Sequence, residues 1–275
     1  MIFKKTIAKC IESILLARDI PNTEKTIVVV MGVQRSGTSL VTSLVHAAGT
    51  ALGDASDVRG SDVGNPAGYF ENKRLNRLTK RYFKEAGLIK ENLPLYNTNT
   101  FRAKGVYGKF RRLFTKSKLM KFAYHLYKEN GLSGFKTFPY PFYVLRQFFP
   151  KYKIIAVFRN PYAVAHSYQT KWQNGHTFEQ VLKIWTESNK SLLYHLSQAD
   201  HLLVQYEDLH DMNTRSVLID KIISFLDSDV SRDEVESHIK STLNRSGETS
   251  KWLTEHYPLP PETKEVYEKL KLLKV

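Results

Sequence analysis

The sequence predicts an α/β fold, a doubly wound and mostly parallel sheet flanked by helices, on three observations. Short, continuously apolar, β-branched runs recur along the chain, most clearly at 27–31 and 154–158, as strands buried on both faces require. Each run leads through a loop into apolar positions at helical spacing, the alternation that builds such sheets. The length of 275 residues suits one unit of this kind with insertions better than two independent domains, so 1–275 is read as a single domain.

Taken in order, Ile7, Ala8, Ile11, Ile14 and Leu15 have helical spacing broken by charge, which predicts a packed amphipathic helix with membrane-surface contact as its alternative. It is too charged for a membrane span. The turn signal Pro21-Asn22 precedes the strand at 27–31, expected mid-sheet. The loop Gly32 to Gly37 then opens a helix on Leu40, Val41, Leu44, Val45 and Ala48, stopped by Gly49. Residues 50–66 read as an irregular loop, and Leu75, Leu78, Tyr82 and Phe83 as a helix. Between Phe101 and Lys128 there is no acidic residue, so 102–128 is expected to be a helical insertion with a basic face. A strand at 134–138, a short helix at 143–149 bounded by Pro141 and Pro150, and the strand at 154–158 follow. A helix from Pro161, one over 178–196, a strand at 202–206 and helices at 216–226 and 233–243 complete the pattern.

Lys and Arg outnumber Asp and Glu 41 to 27, a net charge of +14 that favours an anionic partner without choosing its class. A single cysteine, Cys10, excludes an intrachain disulfide framework, and no Cys/His cluster has zinc spacing. A cytoplasmic protein without a resident metal is expected. No DNA or RNA motif accompanies the basic stretch, so no nucleic-acid partner is expected.

The segment Gly32-Val33-Gln34-Arg35-Ser36-Gly37-Thr38-Ser39 joins a buried strand to a helix, where backbone N–H groups and the helix dipole hold a phosphate. It is P-loop-like. Yet Thr38 stands at the lysine position of G-x-x-x-x-G-K-S/T, and the cation has moved inside the loop as Arg35. A nucleoside triphosphate needs an outward Lys and a magnesium-ligating hydroxyl, whereas a 5′-phosphosulfate has one phosphate beside the moving group, which Arg35 can cover. A second anion cradle is read at Arg159-Asn160-Pro161, where Arg159 ends a strand and Ser167, eight residues on, offers a hydroxyl from the next helix.

These two motifs resemble those of the sulfotransferases that use 3′-phosphoadenosine 5′-phosphosulfate (PAPS). Gln34-Arg35-Ser36-Gly37-Thr38-Ser39 is similar to the family's 5′-phosphosulfate loop, and Arg159 with Ser167 to its 3′-phosphate signature. Asn65-Pro66-Ala67-Gly68-Tyr69-Phe70-Glu71 resembles the bacterial-type and carbohydrate or tyrosyl-protein branches. Tyr206-Glu207-Asp208-Leu209 resembles a family segment whose Tyr approaches the adenosine, and Arg245-Ser246-Gly247 loosely resembles the loop that closes on the nucleotide. The resemblance spans about 26–252 and implies a PAPS site of Gln34, Arg35, Ser36, Gly37, Thr38, Ser39, Arg159, Ser167, Tyr206 and Arg245.

For the chemistry, the resemblance implies that Arg35 clamps the leaving group and that Lys136, in Gly134-Phe135-Lys136-Thr137-Phe138-Pro139, aids transfer. Phe138 stands where cytosolic members place a catalytic His, so the base is sought elsewhere. Glu71, beside the aromatic pair Tyr69-Phe70, is the first choice; Asp54, Asp62 and His46 are rivals, and Glu71 reads equally as a helix N-terminal charge. The expectation is metal-independent transfer of the PAPS sulfuryl group to a hydroxyl of a carbohydrate, another metabolite or a glycan, releasing 3′-phosphoadenosine 5′-phosphate. The alternatives are a P-loop nucleotide kinase or NTPase, and a non-catalytic nucleotide- or glycan-binding module.

Overall fold

The computed structural model describes residues 25–60, 68–85, 105–171, 176–239, 252–253 and 257–274. The expected amphipathic helix near the amino terminus, Asp62 and Arg245 lie outside them.

Among the described residues four strands form the sheet, β1 (Ile27–Gly32), β2 (Ser133–Thr137), β3 (Tyr152–Phe158) and β4 (His201–Gln205), in the order β2-β1-β3-β4. Every pairing is parallel, with Val29 opposite both Phe135 and Ile154, and Ala156 opposite Leu203. The sheet is wholly parallel where the sequence reading expected it mostly so. β1 is central, as its unbroken apolar run predicts, and Ile27 through Met31 are fully buried.

Alternation along the strands divides the core into two layers. Ile27, Val29, Met31, Ile154, Ala156 and Phe158 face one layer, and Val28, Val30, Ile155 and Val157 the other. The second layer is closed by helices α1 (Thr38–Ala47) and α7 (Met212–Leu226) with the short α8 (Arg232–Glu236). The first is covered by α2 (Lys73–Glu85), α3 (Gly105–Lys128), α4 (Pro139–Leu145), α5 (Pro161–Lys171), α6 (Phe178–Leu196) and α9 (Pro261–Leu273). Burial of their apolar stripes, at about 25 cal/mol per Å² removed from water, drives this packing. Trp185 of α6 is the largest fully buried side chain.

The position of the site follows from this winding. The helix after β1 packs on one face of the sheet and the helix after β3, its neighbour, on the other, so a crevice opens at the carboxyl ends of β1 and β3.

Several boundaries differ from the sequence reading for local reasons. Pro141 lies inside the first turn of α4, where a missing N–H costs nothing, so that helix starts at Pro139 and continues as a 3₁₀ turn over Arg146–Phe148. Tyr206 opens a 3₁₀ turn, Tyr206–Leu209, instead of closing β4. α8 ends at Glu236, with residues 240–251 outside the description. The basic helix expected over 102–128 is α3, whose Leu119, Phe122, Ala123 and Leu126 face inward to the core. Among the described residues, no helix is long and apolar enough to cross a membrane.

Candidate active site

The loop after β1 is held open for an anion by its own backbone. Arg35 and Gly37 both take left-handed conformations, at φ 66° and 86°, and Gly37 stands as the N-cap of α1 without any side-chain cap. The first N–H groups of α1 therefore face the loop with no side-chain acceptor, at the positive end of the helix dipole. Ser36 is fully buried and its hydroxyl has no partner among the described residues. A buried, unpaired hydroxyl is costly, and an anion oxygen in the loop would satisfy it.

The second motif meets the first directly. Arg35 Nε donates to Ser167 Oγ of α5 at 3.0 Å, and Arg159 Nη1 donates to the Arg35 carbonyl at 3.1 Å, across 132 and 124 residues of sequence. Tyr206 seals the corner. Its ring lies 4.3 Å from the Arg159 guanidinium and presses on Gly37, where an added Cβ would fall 2.1 Å from Tyr206 Cδ2. Only glycine permits both that contact and that φ. Burial, then the neighbouring Arg159 guanidinium, lowers the pKa of Arg35. Two guanidinium groups drawn together out of water form a place for an anion.

Supports that sequence reasoning did not single out hold these groups. Trp185 Nε1 donates to the Arg159 carbonyl at 3.1 Å, fixing the end of β3. Glu207 Oε1 accepts from the Asn160 N–H at 3.0 Å, and burial raises the pKa of that carboxyl. Tyr168 donates to Gln34 Oε1 at 2.7 Å, so the loop is tied to α5 at two points. The Tyr-Glu-Asp-Leu segment signalled Glu207; for Trp185 the sequence offers no signal beyond a large residue at a buried helical position.

On the other side of the loop, Lys136 at the end of β2 is 4% exposed. Its ammonium donates to the Tyr69 carbonyl at 2.8 Å and to Ser39 Oγ at 3.0 Å, and lies 3.6 Å from Glu71 Oε1. Burial pulls its pKa down to about 8, with Glu71 opposing the shift and Arg59 adding to it. The Tyr69 carbonyl is aimed by a strained turn, Gly68 at φ 93° and Phe70 at φ 52°. Arg59 covers the Tyr69 ring at 3.8 Å. Glu71 also accepts from Asn76 Nδ2 at 3.2 Å.

Two rivals of Glu71, Asp54 and His46, lie in other settings, and the third, Asp62, is outside the described residues. Asp54 caps the 3₁₀ turn Ala55–Asp57, accepting from Ser56 N and Oγ at 2.9 and 2.8 Å, and those bonds lower its pKa. His46 is exposed near the end of α1, its Nδ1 2.9 Å from the Thr50 carbonyl. Thr38, the first residue of α1, packs against the β1 end and is buried.

Comparison with known proteins follows the same line. The sulfotransferase domain family model matches residues 25–255. Among solved structures, the sulfotransferase domain from the Synechococcus PCC 7002 olefin synthase aligns at TM-score 0.53 and 18% identity, covering 91% of this chain and 97% of that one. Sulfotransferase STF1 from Mycobacterium tuberculosis H37Rv aligns at TM-score 0.43 and 14% identity, covering 96% of this chain and 82% of that one. No curated protein matches the chain by sequence.

Proposed function

The chain belongs to the sulfotransferase domain family, and from that premise we propose that it moves the sulfuryl group of PAPS to an acceptor hydroxyl on a carbohydrate or other metabolite, without a metal. The observation behind this reading is the joining of two sequence-remote cradles, Arg35 Nε on Ser167 Oγ at 3.0 Å, in the crevice between β1 and β3. PAPS has phosphates at both ends of its ribose, and two adjoining cationic cradles match that pattern. A triphosphate pattern would call for a Walker lysine, and Thr38 occupies its place.

In this reading the α1 amino terminus, Ser36 and Arg35 hold the 5′-phosphosulfate, and Arg159 with Ser167 the 3′-phosphate. Gln34, Gly37, Thr38 and Ser39 shape the loop, and Tyr206 lies against the adenosine side. PAPS supplies an activated sulfur whose bond to the phosphate oxygen breaks as the bond to the acceptor oxygen forms. Lys136 and Arg35 stabilise the negative charge that grows on the departing phosphate oxygen. The Glu71 carboxylate takes the acceptor proton, which leaves sulfate ester and 3′-phosphoadenosine 5′-phosphate as products. The 3.6 Å between Glu71 Oε1 and the Lys136 ammonium supports giving these two residues adjoining roles.

Calorimetric titration with 3′-phosphoadenosine 5′-phosphate, ADP and AMP in the presence of a chelator tests the donor. Binding of the 3′-phosphorylated nucleotide at least tenfold tighter than ADP is expected. Tighter binding of ADP that requires magnesium overturns the proposal in favour of a kinase or NTPase.

A further inference from the structure

The charge of this protein is concentrated in one place. Residues 73–85 and 105–128 hold thirteen Lys and Arg and one carboxylate, Glu85, a balance of +12 within a chain whose total is +14. The remainder of the chain is close to neutral. The excess therefore belongs to α2 and α3, which pack together at the β2 side of the site.

On α2 the cations are ordered. Lys73, Arg77 and Lys80 are exposed and stand at i, i+4 and i+7, one line about 10 Å long at 1.5 Å rise per residue. Arg74 and Arg81 are half-buried beside it, and Leu75 and Leu78 turn to the core on the opposite side. Glu85, the lone carboxylate, does not compensate this line. Its side chain is 8% exposed and accepts from Arg81 Nε at 2.7 Å and from Thr115 of α3 at 2.6 Å. Among the described residues, Arg77 and Lys80 have no carboxylate partner.

Such an arrangement works against the helix that bears it. Like charges at i,i+3 and i,i+4 repel, and Lys73 and Arg74 put cations in a first turn that has no acidic residue, where the dipole favours anions. A ligand that neutralises the line would relieve both. The line also begins two residues beyond Glu71, which Asn76 of the same helix anchors at 3.2 Å.

We propose that the outer face of α2 binds a linear polyanion, an acidic oligosaccharide, and leads it to Glu71 as the acceptor. The inference rests on the transfer site proposed above, and it adds the acceptor's class. Successive cations lie about 6 and 4.5 Å apart along the axis, so a chain bearing one carboxylate per sugar can meet them in turn. Neither a bilayer nor a nucleic acid fits as well. Among the described residues of α2 the exposed positions are Lys73, Arg77 and Lys80, with no exposed large apolar side chain to enter a membrane and no exposed aromatic to stack a base.

The test titrates the full chain with a decameric oligogalacturonate, a neutral galactan of equal length, single-stranded RNA, and phosphatidylcholine vesicles containing phosphatidylglycerol, at two salt concentrations. Oligogalacturonate should bind at least tenfold tighter than galactan and weaken steeply with salt. The Arg77→Glu/Lys80→Glu variant should lose that affinity at least tenfold, while Lys183→Glu/Lys221→Glu, the same charge change on exposed lysines of α6 and α7, stays within twofold. Equal losses in both variants would overturn the proposal, since bulk charge then explains binding. Preference for vesicles or RNA over oligogalacturonate would overturn it too. Titration of each protein with 3′-phosphoadenosine 5′-phosphate separates the two readings: a wild type that ignores the nucleotide but grips the oligogalacturonate through Arg77 and Lys80 refutes the donor alone.

Discussion

Lys136→Met should make this protein more stable and less active together. The wild-type ammonium is almost wholly buried, and burial takes its pKa from the ordinary 10.5 to about 8. At 1.36 kcal/mol per pKa unit, that gap represents about 3 kcal/mol against keeping the charge at neutral pH. Methionine has similar length, fills the same space and needs no solvation. Against this gain stands the loss of the bonds to the Tyr69 carbonyl and Ser39 Oγ, a net of about 1 kcal/mol, softened because Ser39 Oγ already lies 3.5 Å from that carbonyl. The balance is a stabilisation of about 2 kcal/mol, or roughly 4–8 °C in Tm at this chain size.

Its pH dependence has a definite sign. The folded pKa lies below the unfolded one, so between pH 8 and 10.5 the unfolded chain keeps a proton that the folded chain has released, and wild-type stability rises with pH across that window. The burden is complete below pH 8 and absent above 10.5. Calorimetric melts at pH 7.5 and 9.5 should therefore show the variant ahead at the lower pH, with the gap narrowing at the higher. Sulfuryl transfer should fall at least 10²-fold in the variant, the scale of losing one donor to a developing anion. A variant less stable at pH 7.5, or a gap that ignores pH, would refute a strained buried cation at this position.

Two further substitutions divide binding from chemistry. Glu71→Gln should lower kcat by roughly 10²–10⁴, as loss of a general base does, with nucleotide affinity within twofold of wild type. Because Glu71 raises the Lys136 pKa, the fall in rate as Lys136 deprotonates near pH 8 should move to lower pH in a pH–rate profile of that variant; an unmoved limb would detach Glu71 from Lys136. Gly37→Ala should weaken 3′-phosphoadenosine 5′-phosphate at least tenfold by driving Tyr206 off Arg159, whereas Gly49→Ala, at φ 91° with nothing within 4 Å, should cost only the backbone strain of about 1–2 kcal/mol and leave nucleotide affinity unchanged. Equal affinity losses in the two alanine variants would deny the Tyr206 contact any part in binding.

The fold was legible wherever one local rule dominated. Strand β1 and helix α6 follow from an unbroken β-branched run and from sustained helical spacing, and α6 spans 178–196 as its periodicity predicts. Errors arose where a residue type has two local meanings. Pro141 signals a boundary, yet proline is equally at home in a first helical turn, and Tyr206 continues a strand pattern, yet its backbone begins a turn. Asp54, a rival base, carried its own signal, since Asp followed two positions later by Ser is an Asx-turn pattern. The two motif segments were legible in the sequence, but not the pairings of their residues. Lys136 with Glu71, and Arg35 with Ser167, are brought together by strand order, which no periodicity encodes.

Strand order also explains why the loop after β1 has its particular composition. With β2 on one side of β1 and β3 on the other, that loop touches two different neighbours. Its Arg35 reaches Ser167 beyond β3, and Ser39, in the first turn of α1 that follows it, accepts from Lys136 at the end of β2. Residues four apart thus connect the nucleotide-cradling half of the proposed site to the half with the buried ammonium and the carboxylate. The strained backbone lies at the same junctions: among the described residues of the site, Arg35 at φ 66° and Phe70 at φ 52° are the two non-glycine residues with positive φ, one on each half. Strain of about 1–3 kcal/mol per residue persists only where surrounding contacts over-determine the conformation. Here those contacts are the Arg159 bond to the Arg35 carbonyl and the Lys136 bond to the Tyr69 carbonyl. Each half of the site is therefore held by a cation on backbone oxygen, and removing either cation should release the turn it restrains as well as its charge.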